Sequence, residues 1–185
     1  MTHRMLALPL IAVAVLGVSA CSSQNSGNPV ANTTTAAQPT SGGSTSGGNA
    51  LASVDPCSLI TQTQVTNNGL MPGQTVNAPG GRACRWVEPD SGTAIDGYDV
   101  TVVIYNQAGL GQLNTTGGTV SDYTVGKYQG KLFQDTSLGN CIVSLGTSNT
   151  SRVDVYVNSS IDMTHSCQLV KEVAPKVVAN FPAGS

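Results

Sequence analysis

The chain has 185 residues, of which 39% are hydrophobic, 10% charged and 4% aromatic, and eight Lys+Arg face ten Asp+Glu for a net charge of −2. Those few charges are scattered, so neither the basic footprint of a nucleic-acid binder nor a polybasic membrane patch is present. Five cysteines and two histidines, with no C-x-x-C, argue against a structural metal site, and no cofactor is expected.

Reading begins at Arg4, the single early charge, followed by the apolar run Met5–Val18 and then Val18-Ser19-Ala20-Cys21. A charged start, a short apolar core and small residues before a cut make a signal peptide. The run has 14 residues, against roughly 20 for a membrane-spanning helix. A cysteine directly after the cut makes it a lipobox, since the Cys21 thiol can be acylated before cleavage. Residues 1–20 are therefore read as a lipoprotein signal peptide. Cys21 is expected to carry diacylglycerol, with room for a third chain such as palmitate, which holds the protein on the outer, extracytoplasmic face of the cell membrane. Two acyl chains make a stable anchor where one does not.

Residues 21–53 read as a tether. Ser22–Ser53 is 32 residues of Ser, Gly, Thr, Asn, Gln, Ala and Pro with a few aliphatics, and has no charge and no aromatic. Such a segment buries too little apolar surface to offset its ordering entropy. A flexible coil of that length spans roughly 30 Å.

Residues 54–185 suit one domain. Asp55-Pro56-Cys57 predicts a helix start, with Asp55 as N-cap and Pro56 at the first helical position. Thr61 to Gln64 reads as a capping box, Asn67-Asn68-Gly69 as its stop, and Met71–Gly81 as a loop. Alternation then predicts strands at Ala83–Val87, Tyr98–Tyr105, Tyr128–Phe133, Cys141–Leu145 and Arg152–Val157, with a hairpin loop at Gly146–Ser151. In Tyr98–Tyr105 the second face carries Val103 and Tyr105, which suggests cover on both sides. Asp162 caps a last helix in which Leu169, Val170, Val173, Ala174, Val177, Val178 and Phe181 recur at helical spacing. Glu172 and Lys176 form an i, i+4 pair on its other face, and Pro175 sits within it. The expected fold is α+β: an antiparallel sheet of about five strands with N- and C-terminal helices packed against it.

Without Cys21, four cysteines remain in an exported chain, which implies two disulfides. Cys57 and Cys167 each fall near the start of a terminal helix, while Cys84 and Cys141 each lie on a bulky strand face. Pairing like with like gives Cys57–Cys167 and Cys84–Cys141, and the other two pairings stay open.

Asp55-Pro56-Cys57-Ser58-Leu59-Ile60-Thr61, Gly69-Leu70, Cys84-Arg85-Trp86, Cys141-Ile142-Val143 and a Cys167 that opens the last helix occur in this order. Together they resemble an actinobacterial lipoprotein family of the mycobacterial LprB and LprC type, known only as a domain of unknown function. The resemblance implies an envelope lipoprotein and supplies no catalytic residues.

Catalytic patterns are weak. His165 has Ser166 and Asp162 nearby, but adjacent helical residues diverge, and no G-x-S-x-G elbow exists. Glu88 with Asp90, and Asp96 with Asp99, fit turns better than a carboxylate pair. Gly109-Leu110-Gly111 fails the dinucleotide fingerprint at Asn114. The expectation is a non-enzymatic binding or adaptor module at the membrane's outer face, serving an envelope protein, glycan or lipid and no nucleic acid. The alternative is an extracellular enzyme, an envelope hydrolase, with a site around Asp96, Asp99 and Tyr105.

Overall fold

The computed structural model describes residues 50–89 and 97–185. The residues read as a signal peptide, Cys21 and nearly all of those read as a tether lie outside the described residues. Among those described, no helix is long and apolar enough to cross a membrane.

The N-terminal signals act as local chemistry dictates. The Asp55 carboxylate accepts from the Cys57 N–H at 2.9 Å and starts a 3-10 turn, Pro56–Leu59, where a helix is expected. The Thr61 hydroxyl accepts from the Gln64 N–H, and the Gln64 side chain accepts from the Thr61 N–H, which completes the capping box of α1 (Gln62–Asn67). Gly69, at φ 68°, turns the chain out of α1.

Seven strands follow: β1 (Gln74–Ala78), β2 (Gly81–Val87), β3 (Tyr98–Tyr105), β4 (Gly118–Val125), β5 (Tyr128–Asp135), β6 (Asn140–Ser148) and β7 (Ser151–Ser159). They form one antiparallel sheet in the order β1-β2-β3-β7-β6-β5-β4. The two strands beyond the expected five are β1 and β4, both at sheet edges. An edge strand with two wet faces carries no apolar alternation, and most of β1 and β4 is exposed. The β6–β7 hairpin is tighter than its polar stretch suggests, because β6 continues to Ser148 through an irregularity at Gly146.

Val100, Val102, Ile104, Val143, Leu145, Val153, Val155 and Val157 alternate onto one face and are essentially inaccessible to solvent. That face is covered by α2 (Met163–Val178), whose Val170, Val173, Ala174 and Val177 are buried. The helix lies over β6 and β7, while the Pro56–Leu59 turn lies over β2 and β3. At the far end of α2, Lys176 donates to the Asn68 side chain at 2.8 Å and Asn180 donates to the Leu59 carbonyl at 3.1 Å, so α1 is tied to it. Lys176 is thus engaged by Asn68 rather than in the expected pair with Glu172.

The folded body begins before Val54. Leu51 is 1% exposed and packs in the core, and the Arg82 guanidinium donates to the carbonyls of Leu51 and Val54. At the same end of the sheet the Tyr128 hydroxyl meets Ser185 at 2.9 Å. Both termini of the body therefore leave from one end of the strands.

The disulfides are Cys57–Cys84 and Cys141–Cys167, each with a Cα–Cα distance of 5.0 Å. This corrects the like-with-like pairing. Cys84 and Cys141 do share a sheet face, but β2 and β6 are three strand positions apart, about 14 Å at the usual spacing. A disulfide needs Cα atoms within about 7 Å. Each strand cysteine instead joins the element lying directly on top of it.

Trp86 is buried beside this chemistry, as core packing against the Cys57–Cys84 bridge. Gly73 makes that packing fit: a β-carbon there would fall 2.5 Å from Trp86 Nε1 and 2.7 Å from Cys84 Sγ. Gly73→Ala is therefore expected to lower the unfolding free energy by about 1–3 kcal/mol through overpacking, read from a urea denaturation midpoint. An unchanged midpoint would show that β1 can shift freely away from Trp86.

Candidate functional site

Among the described residues no α-helix covers the second face of the sheet. The pairing registers lay its side chains out in rows across the strands. One row runs Asp99, Asn158, Asn140, Asp135. The next runs Arg85, Thr101, Tyr156, Ile142, Phe133, Val120. A third runs Ala83, Val103, Asp154, Ser144, Lys131, Asp122, and the last sets Tyr105 beside Arg152. Ala83, Val103, Ile142 and Phe133 are buried here, so the second face is partly apolar, as Val103 and Tyr105 suggest from sequence.

Two charges lie buried at its centre. Arg152 Nε donates to both Asp154 carboxylate oxygens at 3.0 Å, and the two side chains are 7% and 0% exposed. Arg152 Nη1 donates onward to the carbonyls of Ala108 and Gly109 at 3.1 and 3.2 Å. The guanidinium carbon sits 4.1 Å from the centre of the Tyr105 ring, a cation–π arrangement. These contacts fasten the β3–β4 connection over one end of the face. Gly109 is needed there because a side chain would run into the Asn149 backbone.

Burial pushes the Asp154 carboxyl above its ordinary range, against the pull of Arg152 and its polar neighbours. The Tyr156 hydroxyl approaches Asp154 Oδ2 at 3.4 Å. Burial, then the Asp154 charge, hold the Tyr156 hydroxyl well above the usual phenol range, so it stays protonated. The Ser144 hydroxyl lies opposite Asp154 in the register but makes no well-formed hydrogen bond.

Beside this centre the face is open. A hollow of about 520 Å³ has Thr101, Val103 and Tyr156 on its floor, β1 and Pro79 as one wall, and Asn140 and Asn158 at its far end. A second hollow of about 480 Å³ shares Pro79, Tyr105 and Tyr156 with it and reaches Leu113 under the β3–β4 connection. Together they form a groove along β3. From Asp99 to Tyr105 is six residue steps, about 20 Å. Its polar end lies opposite the end where both termini leave.

The residues proposed for catalysis are divided among other tasks. Asp99 accepts from Arg85 Nε and Nη2 at 3.2 and 3.0 Å. Tyr105 faces the groove but lies against Arg152. Asp90 and Asp96 lie outside the described residues. The His165 N–H donates to Asp162 at 2.8 Å, which caps α2. Ser166 is fully buried, and its oxygen accepts from the Ser159 N–H at 3.0 Å while its hydroxyl faces the Asp162 and Gly139 carbonyls. Structure thus brings Asp99 and Tyr105 to one groove but leaves Ser166 and His165 apart from it. Among the described residues no cluster of three metal-ligating side chains occurs. The Arg152–Asp154 pair, absent from the sequence expectations, had a visible signal: a charged residue at alternate positions inside a strand of valines.

No curated protein and no solved structure matches the chain. A family model described as "Protein of unknown function (DUF3558)" matches residues 16–180, and the chain belongs to that family.

Proposed function

We propose that this protein is a lipid-anchored binding module of an actinobacterial cell envelope, of the LprB and LprC type, and not an enzyme. The lipid on Cys21 holds it at the outer face of the membrane, and the tether lets the body range above the lipid. The groove on the uncovered sheet face is the binding surface. The observation that carries this reading is that groove, an elongated concavity on a rigid floor whose central charges are locked to each other. Few convergent polar groups on a largely preformed concave surface are what a ligand site requires. The body leaves its tether from one end and presents the polar end of the groove at the other, which suits capture away from the membrane.

Two measurements test it. Cys21→Ala should move the protein from the membrane fraction to the medium and abolish labelling by radioactive palmitate. Retention with label would remove the anchor assignment. For the groove, Thr101→Trp fills the floor while leaving the core face untouched. Native mass spectrometry of chains recovered from envelope extract should show a bound molecule on the wild type that the variant lacks. Equal loading of both would place binding elsewhere.

A further inference from the structure

We infer that the groove takes a neutral oligosaccharide, an inference that rests on the reading of this face as a binding surface. Three observations select this ligand class. First, the charges lining the two hollows are already matched: Arg85 is held by Asp99 and Arg152 by Asp154. An ionic ligand would find no free counter-charge there and would have to break an existing pair.

Second, the lining mixes small apolar surface with hydrogen-bonding groups at short intervals. Val76 and Val103 lie among Thr101, Asn140 and Asn158. An acyl chain would strip water from those amides without replacing their hydrogen bonds, which is costly. An extended peptide gains its affinity from the main-chain bonds of a free strand edge. On this floor the main-chain groups of β2, β3, β7 and β6 are spent in their own ladders.

Third, the groups present suit a sugar ring. A pyranose has flat C–H faces and a rim of hydroxyls, each both donor and acceptor. The half-buried Tyr105 and Tyr156 supply aromatic surface with a polar tip. Each Asn amide supplies two donors and an acceptor in one plane. The fork formed by Arg85 and Asp99 sets donors beside acceptors at the spacing of adjacent hydroxyls. At the polar end, the Asn140 side-chain oxygen has no hydrogen-bond partner. A buried acceptor left unmet is unfavourable, and the broad torsion of an Asn amide lets it swing toward a hydroxyl in the groove.

The test is an amide-shift titration of the full isotope-labelled chain in a zwitterionic detergent, which offers no competing sugar headgroup. The neutral probes are cellohexaose, maltohexaose and α-1,6-mannohexaose. The contrasts are hexagalacturonate, which is anionic, and an uncharged hexapeptide. Expected are saturable shifts at Thr101, Tyr105, Asn140 and Asn158 with at least one neutral probe, weakened at least tenfold in Asn158→Ala. The Asn158 side chain is exposed, so an otherwise unchanged spectrum verifies the fold. Binding of equal strength by that variant, or no groove shift with any neutral probe, overturns the inference. If hexagalacturonate or the peptide alone shifts these residues, the sugar assignment fails while the groove stands. If wild type and Thr101→Trp chains also carry the same molecules from extract, the groove itself fails.

Discussion

Arg152→Met is expected to cost about 3–5 kcal/mol of unfolding free energy at neutral pH, because it strands the fully buried Asp154 carboxylate without its partner. Stability of a domain this size is roughly 5–15 kcal/mol in total, so the variant should be near its limit. The double variant Arg152→Met/Asp154→Leu should recover much of the loss, since removing both charges removes their desolvation as well as their attraction. Recovery stays incomplete, because the carbonyls of Ala108 and Gly109 lose their donor in either variant.

The pH dependence separates this cause from a simple packing defect. Burial already raises the Asp154 carboxyl, and losing Arg152 raises it further. For an acid with a raised folded value, the unfolded chain releases its proton first, near the ordinary value of about 3.9. Stability is therefore fullest below that point and falls as pH rises, by about 1.4 kcal/mol per unit, until the folded group ionises too. Urea unfolding should find Arg152→Met weaker at pH 8 than at pH 5, with the double variant flat by comparison. A single variant within about 1 kcal/mol of wild type at pH 8 would mean that water reaches Asp154 and the pair is not truly buried.

The same pair shows where sequence reasoning reaches its limit. β3 was legible from Tyr98 to Tyr105 because Val100, Val102 and Ile104 alternate onto the core face, and α2 because Asp162, Val170, Val173 and Val177 give a cap and a helical period. The capping box at Thr61 was legible for a similar reason: its chemistry is local. β1 and β4 were not, since exposed edge strands such as Gln74–Ala78 bury too little to write a pattern. Thr119, Val120, Tyr123, Thr124 and Val125 do favour strand by residue type, a weaker signal that β4 offered. The groove depends on which strands are neighbours, and alternation carries no such information. Asp99 and Tyr105 could be named singly, but their meeting with Tyr156, Asn158 and Asn140 follows from β7 inserting between β3 and β6.

That insertion also decides the disulfides, and their pairing is the second large expectation. Peptide mapping of the oxidised chain without reduction should recover Cys57 joined to Cys84 and Cys141 joined to Cys167. The pairs are separated by 27 and 26 residues. In the chain-entropy account a loop of that size stabilises by about 3.5 kcal/mol. The Cys57→Ser/Cys84→Ser variant should lose about that much, with the damage concentrated where the bridge acts. The Pro56–Leu59 turn is held on β2 and β3 by that bridge and by the side chains of Leu59 and Ile60. Limited proteolysis should then open the segment from Leu51 to Leu70 before the sheet. Losing Cys141–Cys167 should instead loosen the start of α2 over β6 and leave that segment protected. The two variants thus fail at opposite ends of the covered face. The like-with-like pairing would make either loss free both the entry segment and α2 together. A peptide joining Cys57 to Cys167, or identical proteolysis of the two variants, would defeat the sheet order proposed for β2, β3, β7 and β6 along with the pairing.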